Sequence, residues 1–188
     1  MTPWPWPAPL QDGAVDHITE GLTIPDVALP SSDGAAISLA REPGRVVVVI
    51  YPWTGGPGLD NPPGWDDIPG AHGSTPELDG FSRLTHGFAS VGVRVFGLSG
   101  QTPEEQRAFA ERQHLAFPLL SDQHGALRNA LQLPTFETGG RTFLKRLTLV
   151  LRDGVVEHVY YPVHPPSSHA REVMYLCGAT RPNANLGR

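Results

Sequence analysis

An α/β layer sandwich, with helices flanking a mixed central sheet, is the fold class this sequence predicts, and three observations predict it. Residues 45–53, RVVVVIYPW, form a near-continuous β-branched run of the kind a strand needs when both of its faces are buried. Downstream of it, short apolar runs alternate with segments of helical period. The chain then closes on two β-rich runs around the hairpin dipeptide Asp153-Gly154, which adds an antiparallel pair to strands otherwise separated by helices.

Taken in order, residues 1–20 open with alternating Pro and Trp (MTPWPWPAPL), a composition that favours an extended arm without hydrogen bonds of its own. It is expected to be a tail, unless Trp4 and Trp6 dock on a partner or over a pocket. LTIPDVAL and AAISLA, split by Ser31, Ser32, Asp33 and Gly34, predict a short N-terminal hairpin. After the buried strand, about twenty residues crowded with Gly and Pro show neither hydrophobic period, and a loop of that length inside a compact domain is usually functional. It is expected to lie as an ordered lid over the following helix start, with Trp65 and Ile68 buried. From Ser74, the apolar residues Leu78, Phe81, Leu84, Phe88 and Val91 recur on one helical face until Gly92. VRVFGLS is the next strand. Thr102, Pro103 and Glu105 then open a helix with a capping box. FPLLSD reads as a short strand, GALRNALQL as a short helix, residues 142–154 as one long strand with VVEHVYYPV as its partner, and 169–177 as the last helix. The globular domain is expected over 21–178, with a flexible tail at 179–188.

Charged residues make up only 18% of the 188, and the formal net charge is −5, with Lys and Arg scattered. No basic footprint for nucleic acid follows from that distribution. No run approaches the ~20 apolar residues of a membrane span, and the first twenty residues hold no targeting pattern, so a soluble cytoplasmic protein is expected. The single cysteine, Cys177, excludes an internal disulfide, a four-cysteine metal site and a CxxC pair. Among eight histidines, His158, His164 and His169 have no ligand spacing, so neither metal nor cofactor is expected.

The junction HGSTPE, residues 72–77, carries the most chemistry. Ser74 and Glu77 fit an S-x-x-E capping box, which places Ser74 as N-cap, and a helix N-terminus also favours an anion or a developing negative charge. A cysteine there would be strongly acidified. A serine gains far less, because a helix terminus is worth only ~1 kcal/mol against an alcohol pKa many units above neutral. Ser74 has no adjacent base in hydrolase arrangement, and no G-x-S-x-G elbow occurs, which disfavours a hydrolase.

From about Gly21 to Leu176 the order of VVVVIYPWTG, GSTPE, VFGLS, FPLLSD and KRLTLVLRDG resembles the peroxiredoxins of the alkyl hydroperoxide reductase and thiol-specific antioxidant superfamily. The resemblance implies a thioredoxin-like fold and an activity that reduces hydrogen peroxide or organic hydroperoxides. In that family a G-C-T-x-E box sets the peroxide-attacking cysteine at a helix N-terminus. Here Gly73, Thr75 and Glu77 match, and Ser74 stands where the cysteine would be, whether introduced or natural. The family arginine that stabilises thiolate and peroxide oxygen matches Arg146 in KRLTLVL. Pro52 and Thr54 keep the proline and threonine character of the family motif ahead of the long insertion, although Ala71 stands three residues before Ser74. Where a second, resolving cysteine can follow by five residues, this chain has Asp79, which leaves Cys177 as the one candidate resolving thiol.

Two readings follow from the resemblance and the residues together. In the first, the chain is a thiol-peroxidase scaffold inactivated by Ser74, with Ser74, Arg146, Thr54 and Glu77 as catalytic positions and an external thiol as reductant. In the second, the pocket, formed with Pro52, Trp53, Trp65, Gly73 and Thr75, holds or transforms a small organic molecule without redox chemistry. A homodimer is expected in either case, and a structural role is the bland rival.

Overall fold

Alternation along β3 (Arg45–Ile50) decides the layering. Val46, Val48 and Ile50 enter one apolar cluster, while Val47 and Val49 enter another on the opposite face, and all five are buried. A strand buried on both faces needs partners on both edges, and the computed structural model, which describes residues 4–179, supplies them. β3 pairs in parallel with β4 (Val93–Ser99), which pairs in parallel with β5 (Leu119–Ser121). On its other edge β3 runs antiparallel to β8 (Leu147–Arg152), which pairs with β9 (Val155–Tyr160). The sheet order is therefore β5-β4-β3-β8-β9, mixed as expected.

One face is covered by α1 (Ser74–Arg83), α2 (Thr85–Ser90), α3 (Pro103–Gln113) and α5 (Pro166–Ala179). Leu78, Phe81, Phe88, Phe109 and Val173 pack there against Val47, Val49 and Val150. The other face is closed by α4 (Ala126–Leu131) and by N-terminal residues including Val15, Ile18 and Ile24. The N-terminal hairpin shrinks to two residues per strand, β1 (Leu29–Pro30) and β2 (Ala36–Ile37), since Pro30 removes a ladder donor. The capping box of Thr102 and Glu105 forms in both directions. Asp153 and Gly154 take φ of 49° and 76°, as a two-residue hairpin of this kind requires, and a Cβ on Gly154 would lie 2.4 Å from the Ala40 carbonyl oxygen.

Three expectations change. The helix expected from Ser74 to Val91 breaks at Leu84, where the Thr85 hydroxyl donates to the Phe81 carbonyl and α2 restarts. The single strand expected at 142–154 divides into β7 (Arg141–Leu144) and β8, and β7 pairs away from the main sheet with β6 (Thr135–Thr138) around Gly139-Gly140. The last helix starts at Pro166, earlier than expected. The tail expected at 179–188 lies outside the described residues, apart from the backbone of Ala179. Among the described residues no helix is long and apolar enough to cross a membrane.

Candidate functional site

The β7–β8 break sets the site. Ile50 is in register with Leu147, so Arg146 falls just beyond the end of β3 from which the chain leaves toward the long loop and α1. Pro52, Trp53 and Thr54 follow that end directly, and α1 returns Ser74 to it.

Gly73, and not Ser74, is the N-cap of α1. It sits at φ 109°, where glycine is favoured, and a Cβ there would come within 2.3 Å of the Pro166 ring and 2.8 Å of Trp4. The expected capping box is therefore absent. Glu77 closes the first helical hydrogen bond through its N–H to the Gly73 carbonyl at 3.1 Å, and both expected capping side chains turn to Arg146 instead. Nη1 of Arg146 makes a close ion pair with the Glu77 carboxylate, and Nη2 donates to Ser74 Oγ at 3.1 Å. Nη2 also faces the carbonyls of His72 at 3.2 Å and of Gly70 and Ala71 at 3.4 Å each. Ser74, Glu77 and Arg146 are all buried. Burial pushes the Glu77 carboxyl up to about 7, against the opposing pull of Arg146. Among the described residues neither Glu77 Oε1 nor Arg146 Nε, both buried, has a hydrogen-bond partner, an arrangement that costs about 1–3 kcal/mol each and that native proteins rarely carry away from functional sites.

Above this trio opens a cavity of about 320 Å³ that Ser74 shares with Gly73, Thr75, Thr54, Trp53 and Trp65. Thr54 is fixed there by Gln101, whose side-chain oxygen accepts from both the Thr54 N–H and its hydroxyl at 3.1 Å. Trp65 is carried by the long loop on a single 3-10 turn, Trp65–Asp67. It is 3% exposed and packs edge-on against Trp53 at 5.5 Å and against Phe143 of β7 at 5.0 Å. The loop is thus held between β3 and the β6–β7 hairpin, over the start of α1.

The sequence profile of the Redoxin family matches residues 19–174 of this chain. The chain belongs to that family. It is 32% identical over 172 residues to chloroplastic peroxiredoxin Q of Sedum lineare, which covers 90% of this chain and 83% of that protein. Among solved structures, peroxidoxin BcpB from Mycobacterium tuberculosis is similar with a TM-score of 0.71 at 27% identity, covering 88% of this chain and 100% of that one. A Cys-to-Ser mutant of Xanthomonas campestris peroxiredoxin Q gives 0.68 at 25% identity, over 87% and 100%. The fold of this redoxin is accordingly thioredoxin-like, and its scaffold is that of a thiol peroxidase of the peroxiredoxin type.

The structure brings most of the sequence-predicted site residues of the redoxin together, with two exceptions. Pro52 is buried as the continuation of β3 and does not line the cavity. Cys177 is 1% exposed near the other end of α5. Pro166, the first residue of that helix, touches Gly73, and Cys177 follows eleven residues later, about 16 Å along the axis. A disulfide needs Cα atoms within about 7 Å, so position 74 and Cys177 of the same chain cannot be bridged in this fold. Burial also pushes the Cys177 thiol above its ordinary pKa.

Sequence reasoning missed two participants, and for a third it had offered the right alternative. Gln101 gave no signal, standing between a strand and a helix cap. His169 sits beneath the site with Nε2 2.9 Å from Thr148 Oγ1, and burial, aided by the Arg146 charge, lowers its pKa to about 4. The N-terminal arm is no free tail. Its Pro-Trp composition was the signal, and docking over a pocket is the alternative the structure adopts. Trp6 stacks on His72 at 3.7 Å with an 11° tilt, the Pro7 carbonyl accepts from Gly70 N at 3.2 Å, and Asp12 holds Lys145 and the Tyr161 hydroxyl at 2.6 and 2.7 Å. Among the described residues no group of three or more His, Cys, Asp or Glu is arranged to hold a metal ion.

Proposed function

We propose that Ser74 occupies the position of the peroxide-attacking cysteine, so that this redoxin binds a hydroperoxide or a similar small oxygen-bearing molecule without carrying out thiol redox turnover. One observation carries the reading. The group that would stabilise a thiolate, Arg146, donates to Ser74 Oγ at 3.1 Å, while the sole thiol lies buried far along α5.

In a peroxidase cycle a thiolate sulfur attacks one peroxide oxygen, the O–O bond breaks, the other oxygen leaves with a proton as alcohol or water, and the sulfur is left as a sulfenic acid that an external thiol reduces. Arg146 and the unpaired first-turn N–H groups of α1 are the donors available to the oxygens in that step. A serine oxygen has no sulfenic counterpart and no base to ionise it. Binding survives and turnover does not. Thr54 and Thr75 serve as further polar contacts, and Glu77 positions Arg146. Self-association into a homodimer belongs to the same reading and is measured directly by sedimentation of the purified chain.

The test is peroxide consumption with dithiothreitol by the protein as it stands and by Ser74→Cys. The serine form is expected to match the reagent blank. The variant is expected to exceed it at least about a hundredfold, since helix amides and Arg146 together bring a thiol from ~8.5 below neutral. Robust turnover by the serine form overturns the chemistry, and a folded but inert variant overturns the assignment of position 74.

A further inference from the structure

All four tryptophans of this chain line one cavity. Trp53 and Trp65 form a fixed inner corner, 5.5 Å apart at 72° and almost wholly buried. Trp4 and Trp6 come from the arm and remain half-buried at its mouth. Trp4 lies against Gly73, and Trp6 lies flat on His72, whose Nε2 is 2.8 Å from Asp66 of the loop. Two segments far apart in sequence, an N-terminal arm and a mid-chain loop, thus deliver indole rings to the same roughly 320 Å³.

A cage of tryptophans ordinarily suggests a cation, because ring faces carry negative potential. Its floor argues the reverse. No carboxylate is among the described residues that line the cavity; its polar end is made by Ser74 and the N-terminus of the ten-residue α1, and Ser74 Oγ accepts from the Arg146 guanidinium, which is paired with Glu77 behind the cavity wall. That end attracts an oxygen acceptor. An aromatic wall and an oxygen-seeking floor together select a molecule with a ring at one end and a compact oxygen group at the other.

We propose that the Ser74 cavity is a site for aryl-substituted small molecules, a flat ring held among the four indoles with a hydroxyl, hydroperoxyl or carboxylate group on Ser74, and that the N-terminal arm is its specificity element. This rests on the reading of Ser74 as the oxygen-binding position, and it deepens that reading by naming the substrate class. The arm supplies the outer wall, so ring selectivity belongs to Trp6 and Trp4, while retention of the oxygen head belongs to Ser74 and Arg146.

The experiment compares two redox-inert alcohols of nearly equal size, 2-phenyl-2-propanol and 2-cyclohexyl-2-propanol, by calorimetry and by quenching of the intrinsic fluorescence to which every tryptophan contributes. The phenyl alcohol is expected to bind about five-fold tighter, the scale of aromatic contact beyond simple burial. Trp6→Ala is expected to abolish most of that preference, and Trp6→Phe to restore it. Equal affinities for the two alcohols, no saturable binding of either, or a preference untouched by Trp6→Ala would overturn the proposal. Failure of Ser74→Cys to consume hydrogen peroxide, with aryl selectivity intact, would instead count against the peroxidase reading alone.

Discussion

The two ends of α5 differ in a way that separates a nucleophile from its environment. At the Pro166 end lies position 74, flanked by Arg146, the first turn of α1 and an open cavity, and occupied by an alcohol. At the other end lies Cys177, a buried thiol in the same apolar cluster as Val47, Phe88, Val93 and Val173, its carbonyl accepting from Arg45 at 3.3 Å and its pKa pushed up by burial. One end has the surroundings of a reactive sulfur without the sulfur, and the other has a sulfur without the surroundings. On the proposed reading, reactivity in this fold is a property of place, and position 74 is that place.

Keeping it is costly, and the largest expected effect of breaking the contrast is on stability. Arg146→Met leaves the Glu77 carboxyl buried without its cation, and a loss of about 3–5 kcal/mol is expected in urea unfolding. The double variant Glu77→Gln with Arg146→Met is expected to recover much of that loss, because no charge then remains to be desolvated. A single variant as stable as the parent would show that the pair carries no strain on its environment.

Next in size are two opposed pH dependences beneath the site. Glu77 is raised to about 7 from an ordinary 4.5, so its contribution is present below pH 4.5 and is lost as pH rises through 7. His169 is lowered to about 4 from 6.5, so its contribution is present above pH 6.5 and is lost as pH falls through 4. Between 4.5 and 6.5 the slopes oppose each other, and the parent is expected to be nearly flat. Glu77→Gln should expose the histidine alone, with stability falling by about 3 kcal/mol as pH drops from 6.5 to 4. His169→Gln should show the reverse slope between pH 4.5 and 7. Urea midpoints across pH for the three proteins check this, and identical profiles would contradict it.

The smallest effect belongs to the quiet end. Cys177→Ser places a hydroxyl in an apolar cluster and is expected to cost about 1–3 kcal/mol, with peroxide consumption unchanged when it is combined with Ser74→Cys. A loss of turnover in that combination would give Cys177 the resolving role that the length of α5 denies it within one chain.

The layered fold was legible because β3, the Thr102 cap and the Asp153-Gly154 turn are local signals that the tertiary structure reinforces. The site was legible in part. Ser74 and Glu77 are spaced for a capping box, and nothing local shows that Arg146, distant in sequence, takes both side chains for itself. Arg146 emerged through the family motif, since KRLTLVL read alone is an uninterrupted strand and its break depends on β6 capturing β7. The arm illustrates the same limit. Its composition announced extended chain, but the stacking surface of Trp6, His72, is created by a loop more than sixty residues away.

The central claim, that position 74 is built to stabilise a thiolate and position 177 is not, is tested most directly within one molecule. In Ser74→Cys, alkylation of the two thiols by iodoacetamide is followed across pH by mass spectrometry of their separate peptides. The introduced thiol is predicted to react with a midpoint below pH 7 while Cys177 stays unmodified in the folded protein; a midpoint near the ordinary value of ~8.5 at position 74, or faster labelling of Cys177, would contradict the account.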